Sequence, residues 1–279
     1  MSIDLYHGNC LEVMKQLPDA SVDCFICDLP YGCLIGGGGQ EKKKRQLVRY
    51  VDGEETKNTA VYNGGVMAGC SWDIKIPLDK LWEQIKRLCK NDHTPVIMFC
   101  TTKFGYELIK SNESWFRYDL VWDKQRGVSF LSANKMPMRS HEMIYVFSKA
   151  GAHYIRKDIE GDYKGWKQDI NQFVKSNTYN KGKNNIKKTV EIGGDNKRCA
   201  LSVIKANTKT VKGNHPTEKP IDLYKWLIER YCPLNGTLLD PTAGSFNSCW
   251  AGYELDRHCI GIEKDNEFYK KASEKADRL

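Results

Sequence analysis

The stretch Val22-Asp23-Cys24-Phe25-Ile26-Cys27-Asp28-Leu29-Pro30-Tyr31-Gly32 passes from an apolar run directly into an acid, a rigid proline and an aromatic ring. Val22–Cys27 reads as a buried strand, and strands buried on both faces belong to mostly parallel sheets covered by helices. The pattern recurs along the chain. Val22–Asp28, Pro95–Cys100, Leu120–Trp122, Met143–Phe147, Thr237–Asp240 and Cys259–Glu263 are apolar runs of strand length. Leu78–Lys90 places Leu78, Leu81, Trp82, Ile85 and Leu88 on one helical face. Ile221–Tyr231, starting behind Pro220, does the same with Ile221, Tyr224, Leu227, Ile228 and Tyr231. A further helix is expected to begin near Asn247, and Asn266–Leu279 reads as a charged closing helix. Strands alternating with helices predict an α/β fold. Leu120–Lys124 and His141–Ser148 have no helical pattern between them and read as an antiparallel hairpin at the sheet edge. Leu34–Gly69 shows no sustained period after Gly36–Gly39, and its length predicts a lid, a binding loop or a disordered segment.

At 279 residues and 41% hydrophobic content, the chain can bury the core of one large domain, or of one domain with an insertion. Collagen-like, disordered and disulfide-stapled classes are excluded. The net charge of +8 is local: residues 151–213 hold 14 basic and 6 acidic side chains, while the remainder holds 29 of each. A concentrated basic segment points to an anionic partner. Eleven cysteines with no secretory signal fit reduced thiols in a cytosol. Cys24 and Cys27 form a C-x-x-C, but no second such pair completes a metal site, and no metal is expected. No apolar stretch approaches the roughly 20 residues of a membrane span.

Three motifs carry chemistry. Asp28-Leu29-Pro30-Tyr31-Gly32 follows a strand, where parallel sheets place their sites. A carboxylate and a neighbouring carbonyl accept hydrogen bonds from an amino group, the ring stacks on the planar system bearing it, and Pro30 fixes the backbone. Leu239-Asp240-Pro241-Thr242-Ala243-Gly244-Ser245 is a small-residue loop between a strand and a helix, which lets backbone N–H groups approach a ligand. Nineteen residues beyond Gly244, a strand ends at Glu263, the position of an acid that takes ribose hydroxyls. His215-Pro216-Thr217-Glu218-Lys219-Pro220 leads into a helix and offers Lys219 as a point charge. Gly36–Gly39 is not a phosphate loop, because no Gly-Lys-Ser/Thr follows.

In this order, the motifs resemble the permuted amino-group DNA methyltransferases, in which the catalytic motif precedes the S-adenosylmethionine-binding motifs. The likeness is greatest to the adenine-N6 enzymes with their Asp-Pro-Pro-Tyr motif. Gly8-Asn9-Cys10-Leu11-Glu12-Val13-Met14 with Ser21-Val22-Asp23, Trp122-Asp123-Lys124 and His141-Glu142 also resemble family landmarks. The resemblance covers about residues 1–33, 70–149 and 214–279. It implies a class I methyltransferase with a seven-stranded, mostly parallel sheet and an antiparallel edge hairpin. Residues 1–150 and 214–279 would be the catalytic domain, 34–69 a lid, and 151–213 an inserted target-recognition region.

The implied reaction moves the methyl of S-adenosylmethionine to the N6 amine of a flipped adenine in double-stranded DNA. Asp28, Leu29, Pro30 and Tyr31 match the catalytic loop. Asn9, Cys10 and Leu11 match the segment near the cofactor adenine. Asp240, Pro241, Thr242, Ala243, Gly244 and Ser245 match the cofactor loop, Glu263 with Lys264 the ribose end, and Lys219 with Pro220 the methionine side. Candidate phosphate contacts are Lys42, Lys43, Lys44 and Arg45 in the lid. Lys181, Lys183, Lys187, Lys188, Lys197 and Arg198 are the candidates in the basic region. The family's setting implies a cytoplasmic prokaryotic or phage enzyme without metal or membrane attachment, and leaves open a homodimer and a restriction endonuclease partner.

The chain departs from the family in four places. Leu29 stands where the adenine enzymes usually have proline, and Asn9 replaces a common Asp. Thr242 stands where Phe is usual, and Phe246 where a second Gly is usual. At a glycine position the Phe246 ring would strike a ligand lying close to the backbone, unless the loop takes another path. Two alternatives follow: a cytosine-N4 enzyme, in which Ser more usually stands at position 28, and a non-catalytic DNA-binding relative with an impaired cofactor loop.

Overall fold

Alternation along a buried strand decides where the layers lie. In the computed structural model, Cys24–Cys27 is a strand with all 4 side chains buried. Its period of two sends Cys24 and Ile26 into one core cluster and Phe25 and Cys27 into the other. The two thiols of the C-x-x-C therefore lie on opposite faces of the sheet, where they cannot chelate one ion. Residues 1–32, 73–128, 130, 133–160, 197–207 and 218–278 are described in full, and 44–51, 54–61, 166–169 and 189–192 as backbone.

The strands are β1 (Ile3–His7), β2 (Cys24–Cys27), β3 (Lys44–Val51), β4 (Glu54–Val61), β5 (Val96–Cys100), β6 (Phe116–Val128), β7 (Arg139–Phe147), β8 (Ile159–Glu160), β9 (Trp166–Asp169), β10 (Thr189–Ile192), β11 (Lys197–Arg198), β12 (Val203–Lys205), β13 (Thr237–Asp240) and β14 (His258–Glu263). The helices are α1 (Cys10–Met14), α2 (Leu78–Leu88), α3 (Thr102–Ser111), α4 (Ile221–Tyr231), α5 (Asn247–Glu254) and α6 (Asn266–Ala276). One sheet of 8 strands runs β1-β14-β13-β2-β5-β7-β6-β12. From β1 to β5 every pairing is parallel, β7 is antiparallel to both β5 and β6, and β12 is parallel to β6. Leu223, Leu227 and Ile228 of α4 and Trp250 of α5 cover one face. Val13 and Met14 of α1, Leu81 and Ile85 of α2, and Phe104 and Leu108 of α3 cover the other. The result is the three-layered class I methyltransferase architecture.

Each expected apolar run falls on an observed strand, and the bounds differ most in the hairpin. Thr237–Asp240 and Ile221–Tyr231 have the expected bounds. The edge element β1 was not expected, because it is only half-buried and has no apolar run. α3 was missed because Gly105 and the exposed Tyr106 interrupt its apolar face. Two expectations are corrected at the sheet edge. The hairpin is longer than expected, Phe116–Val128 with Arg139–Phe147, and it does not form the edge. Val203–Lys205, within the stretch read as an insertion, adds an eighth strand outside it, and Trp122 anchors that segment by donating from Nε1 to the Ala206 carbonyl at 2.9 Å.

Leu34–Gly69 is likewise not without structure: Lys44–Val51 pairs antiparallel with Glu54–Val61 along all 8 residues. The missed signal is Asp52-Gly53 between the two strands, a dipeptide favoured in two-residue hairpin turns. The remainder of that stretch lies outside the described residues. Contacts divide the chain into Met1–Tyr154 with Ser202–Leu279, and Ile155–Leu201. In the second unit β8 pairs with β11 and β9 with β10, both antiparallel.

Phe246 takes a backbone conformation that favours glycine. Its φ is +59°, in the left-handed region. The ring turns away from the loop into the core and is fully buried. Gly261 makes the room: a Cβ there would lie 2.6 Å from Phe246 Cδ1. Phe246→Ala empties this socket and is expected to cost about 3–5 kcal/mol in urea unfolding. A loss under about 1 kcal/mol would show that the ring contributes little to the core.

Candidate active site

Two parallel neighbours, β2 and β13, continue in opposite directions across the sheet: β2 leads to β5 and β13 to β14. Loops leaving such a pair diverge and open a crevice at the carboxyl ends of the strands. A cavity of about 460 Å³ lies there, within the range of small-molecule sites. Asn9, Cys10, Leu11, Asp28, Leu29, Pro30, Tyr31, Lys219, Pro241, Thr242, Ala243, Gly244, Ser245, Glu263 and Lys264 all line it. Residues spread over more than 250 positions of sequence thus meet in one place.

Two expected cofactor residues do not reach the cavity wall. Pro220 is the N-cap of α4, in an extended backbone conformation just ahead of Ile221. Asp240 is fully buried beneath the loop. Its Oδ1 accepts from the Thr242 N–H at 3.0 Å and its Oδ2 from the Ser248 hydroxyl at 2.5 Å. Asp240 therefore holds the loop that lines the cavity and itself lies outside the lining.

The lip of the cavity is built from the ends of β1 and β14. The Glu263 carboxylate accepts from the Gly244 N–H at 2.7 Å and from the Asp265 N–H at 2.7 Å, joining the small-residue loop to the end of β14. Burial raises the Glu263 carboxyl, and those N–H groups oppose the rise. Asn9 caps α1 by accepting from the Leu11 N–H at 2.9 Å, so the amide replaces the family's Asp in this bond without its charge. Apolar walls come from Leu11, Leu29, Ile262 and Phe268. An acid beside a small-residue loop, with apolar walls, fits the ribose and flat ring of an adenosyl group. The departure at Phe246 does not obstruct this fit, because that ring lies in the core.

The floor carries the Asp28–Gly32 loop. Asp28 Oδ1 accepts from the Tyr31 hydroxyl at 3.0 Å, and Asp28 Oδ2 from Lys219 Nζ at 2.6 Å. Burial, then the charges of Asp28 and Glu142, push the Tyr31 phenol well above its ordinary range, so it remains a donor. The Tyr31 ring packs on Phe104 at 5.3 Å between centroids. Thr242 Oγ1 donates to the Asp28 carbonyl at 3.1 Å, tying the two loops together. This is the work of the residue that departs from the family's Phe. Gly32 has φ +67°, and its N–H donates to Asp73 Oδ1 at 2.9 Å.

Lys219 is 4% exposed and faces two carboxylates, Asp28 and, at 3.6 Å, Glu142 Oε2. Burial pushes its ammonium down, but the two acids outweigh burial and the net direction is up. Expected as a contact for the methionine side, it lines the cavity and also pairs with the Asp28–Gly32 loop. Sequence reading missed the contributions of Asp73, Thr101, Tyr224 and Phe268, which line the cavity from elsewhere in the chain. No local motif marks them. Glu142 was visible only as a landmark without a role.

Among the phosphate-contact candidates, Lys44 and Arg45 lie in β3, opposite Val61 and Ala60. Lys197 and Arg198 are exposed in β11, opposite Glu160 and Ile159. Lys42, Lys43, Lys181, Lys183, Lys187 and Lys188, with His215–Thr217 of the third motif, lie outside the described residues. No helix among the described residues is long and apolar enough to cross a membrane, and no cluster there is disposed to hold a metal ion.

Fold and site together define an S-adenosylmethionine-dependent transferase. The chain belongs to the DNA methylase family of N6- and N4-methylating enzymes, whose model matches residues 22–274. It is 24% identical to type II methyltransferase M2.MboI of Moraxella bovis over 276 residues, covering 96% of this chain and 85% of that protein. It is 25% identical to type II methyltransferase M.HindIII of Haemophilus influenzae, covering 95% of this chain and 92% of that one. Its fold matches the crystal structure of the M1.HpyAVI–SAM complex with a TM-score of 0.58 at 18% identity, over 99% of this chain and 100% of the other. It matches PvuII DNA methyltransferase, described as cytosine-N4-specific, equally at 0.58 with 11% identity, over 100% and 92%. The protein is a DNA methyltransferase, and S-adenosylmethionine is its methyl donor.

Asp240 supplies a pH test of this construction. Burial raises its carboxyl from 3.8 to about 7, against the bonds from Ser248 and Thr242. A carboxyl whose pKa is higher in the folded state stabilises the fold fully below its unfolded pKa and loses that contribution as pH rises through the folded value. Asp240→Asn has no proton to lose. It is expected to gain stability relative to the native protein between about pH 4 and about pH 8 in urea denaturation. A difference constant across that interval would mean that Asp240 does not titrate with folding.

Proposed function

We propose that the protein methylates the N6 amine of adenine in double-stranded DNA, acting on a base turned out of the duplex. The observation that carries this reading is Asp28, a carboxylate at the head of the reactive loop with both oxygens held by side-chain donors. An exocyclic adenine amine is a poor nucleophile because its lone pair is delocalised into the ring. Asp28 and the Leu29 carbonyl accept its two hydrogens and favour a pyramidal nitrogen whose lone pair points out of the ring plane. Each carboxylate oxygen of Asp28 has a second lone pair for this purpose. Tyr31 stacks on the flipped base, a contact of about 1–3 kcal/mol. When bound, S-adenosylmethionine would supply an electrophilic methyl on a sulfonium, sulfur keeping the bond pair as the amine takes the methyl, and the amine proton would pass to Asp28 and from there to water. The small-residue loop, Glu263 and the Asn9–Leu11 segment bind and orient the donor, and orientation is a large part of the rate.

The basic stretch 151–213 supplies phosphate contacts and target recognition in this reading, supported by its concentration of the chain's entire charge excess. The relatives named as type II methyltransferases support a place in bacterial restriction–modification, and with it a cytoplasmic location.

Long-read mapping of DNA exposed to the enzyme is expected to show N6-methyladenine in a defined sequence context. N4-methylcytosine alone would overturn the adenine assignment. Asp28→Ala is expected to abolish transfer while duplex binding, measured by fluorescence anisotropy, is retained. Neutralising four lysines in 151–213 is expected to weaken binding and flatten its salt dependence by roughly one unit of log–log slope per lost phosphate contact. An unchanged slope would remove that stretch from the interface.

A further inference from the structure

Two landmarks that are 20 residues apart in sequence, Trp122-Asp123-Lys124 and His141-Glu142, are cross-strand partners in the β6–β7 hairpin: Trp122 opposes Glu142 and Asp123 opposes His141. The pairing brings Lys124 Nζ onto Glu142 Oε1 in a salt bridge, with the same ammonium 5.0 Å from the Trp122 ring centroid. The other oxygen, Glu142 Oε2, is buried, has no hydrogen-bond partner among the described residues and lies 3.6 Å from Lys219 Nζ. Lys219 in turn touches Asp28 Oδ2. A chain of alternating charge thus runs Lys124, Glu142, Lys219, Asp28, from the hairpin to the reactive loop.

We propose that Glu142 is a positioning residue for methyl transfer, acting on Asp28 through Lys219. This rests on the reading of Asp28 as the acceptor for the target amine. Lys219 is itself held in register from the other side, since Asn247 Nδ2 donates to its carbonyl at 3.0 Å and to Glu218 Oε1 at 2.6 Å. Its ammonium is therefore delivered to a fixed place between two acids. With Glu142 present, the Lys219 charge is shared, and Asp28 is aimed by a hydrogen bond without being neutralised by a full, unshared cation. Without Glu142, Lys219 would pair with Asp28 alone in a site of low dielectric, and the carboxylate would be a weaker acceptor for the amine. Without Lys219, Asp28 and Glu142 would face each other as like charges and Asp28 would lose one of its two anchors. The balance of two acids against two lysines also explains how four ionisable groups tolerate this degree of burial. Glu142 is held below its ordinary range: burial pushes it up, but Lys219 and Lys124 outweigh burial.

The test compares Glu142→Gln with the native enzyme in single turnover, with dissociation constants for S-adenosylmethionine and duplex measured separately. The expected result is a fall of about 10- to 100-fold in the single-turnover rate, the scale of small misplacements of reacting groups. Both dissociation constants should stay within about twofold, because Glu142 acts through Lys219. In a Lys219→Met background, Glu142→Gln should not lower the rate further, since the partner it acts through is gone and the like charge facing Asp28 goes with it. A native single-turnover rate in Glu142→Gln, a loss accounted for by weaker S-adenosylmethionine binding, or multiplicative effects of the two substitutions would each overturn the proposal. If Glu142→Gln does not fold, Glu142→Asp carries the same comparison, since it keeps the charge and withdraws it by one methylene. A reduced rate at unchanged dissociation constants supports the proposal, and a native rate overturns it. Asp28→Ala is run alongside: retained transfer there would remove the underlying reading of Asp28. Abolished transfer in Asp28→Ala with a native rate in Glu142→Gln would remove only the role of Glu142.

Discussion

The parallel pairing of β2 with β13, Leu238 opposite Cys24 and Leu239 opposite Phe25, is the constraint on which the rest of the site depends. The paired segments are distant in sequence, and neither strand is long. The pairing sets the Asp28 loop beside the Thr242 loop at the same edge of the sheet, close enough for Thr242 to donate to the Asp28 carbonyl. Because the chain leaves these strands toward opposite sides, the loops diverge above them and leave room for a ligand. Complete burial of β2 on both faces, and of β13 but for Thr237, makes this pairing costly to disturb, so the cavity inherits the rigidity of the core.

Polar groups around the cavity follow a single logic of burial with compensation. Asp240 is sealed under the loop and satisfied by Thr242 and Ser248. Glu263 is half-sealed and accepts two backbone N–H groups. Asp28, Lys219, Glu142 and Lys124 are grouped with equal numbers of each charge. Buried charges that lack such partners are expensive, which restricts where these residues can stand more tightly than shape alone would. The same economy of space explains Phe246. A large ring at a position suited to glycine is accommodated by a left-handed backbone and a glycine across the core at 261, so the departure from the family pattern leaves the cavity clear.

Legibility in the sequence tracked burial. Val96–Cys100, apolar and buried throughout, was read to within one residue of its observed bounds because a strand hidden on both faces has no polar positions to confuse the pattern. β1, α1 and α3 are half-buried or short, and their mixed composition gave no clear period. Within the site, the residues on strand-ending loops were visible from their motifs. Asp73, Thr101 and Tyr224, which complete the wall, are ordinary residues in their local context.

By itself, the sequence determined the α/β class, the strand-ending loop at Asp28, the small-residue loop before Asn247 and the acid at Glu263, because each depends on local backbone geometry and hydrophobic period. Only the tertiary structure decided that Asp240 lies under the loop, that Lys219 faces Asp28 and Glu142, and that Phe246 turns into the core. Those outcomes depend on which groups from distant segments compete for the same buried volume and the same charge, and that competition exists only once the sheet has brought them together.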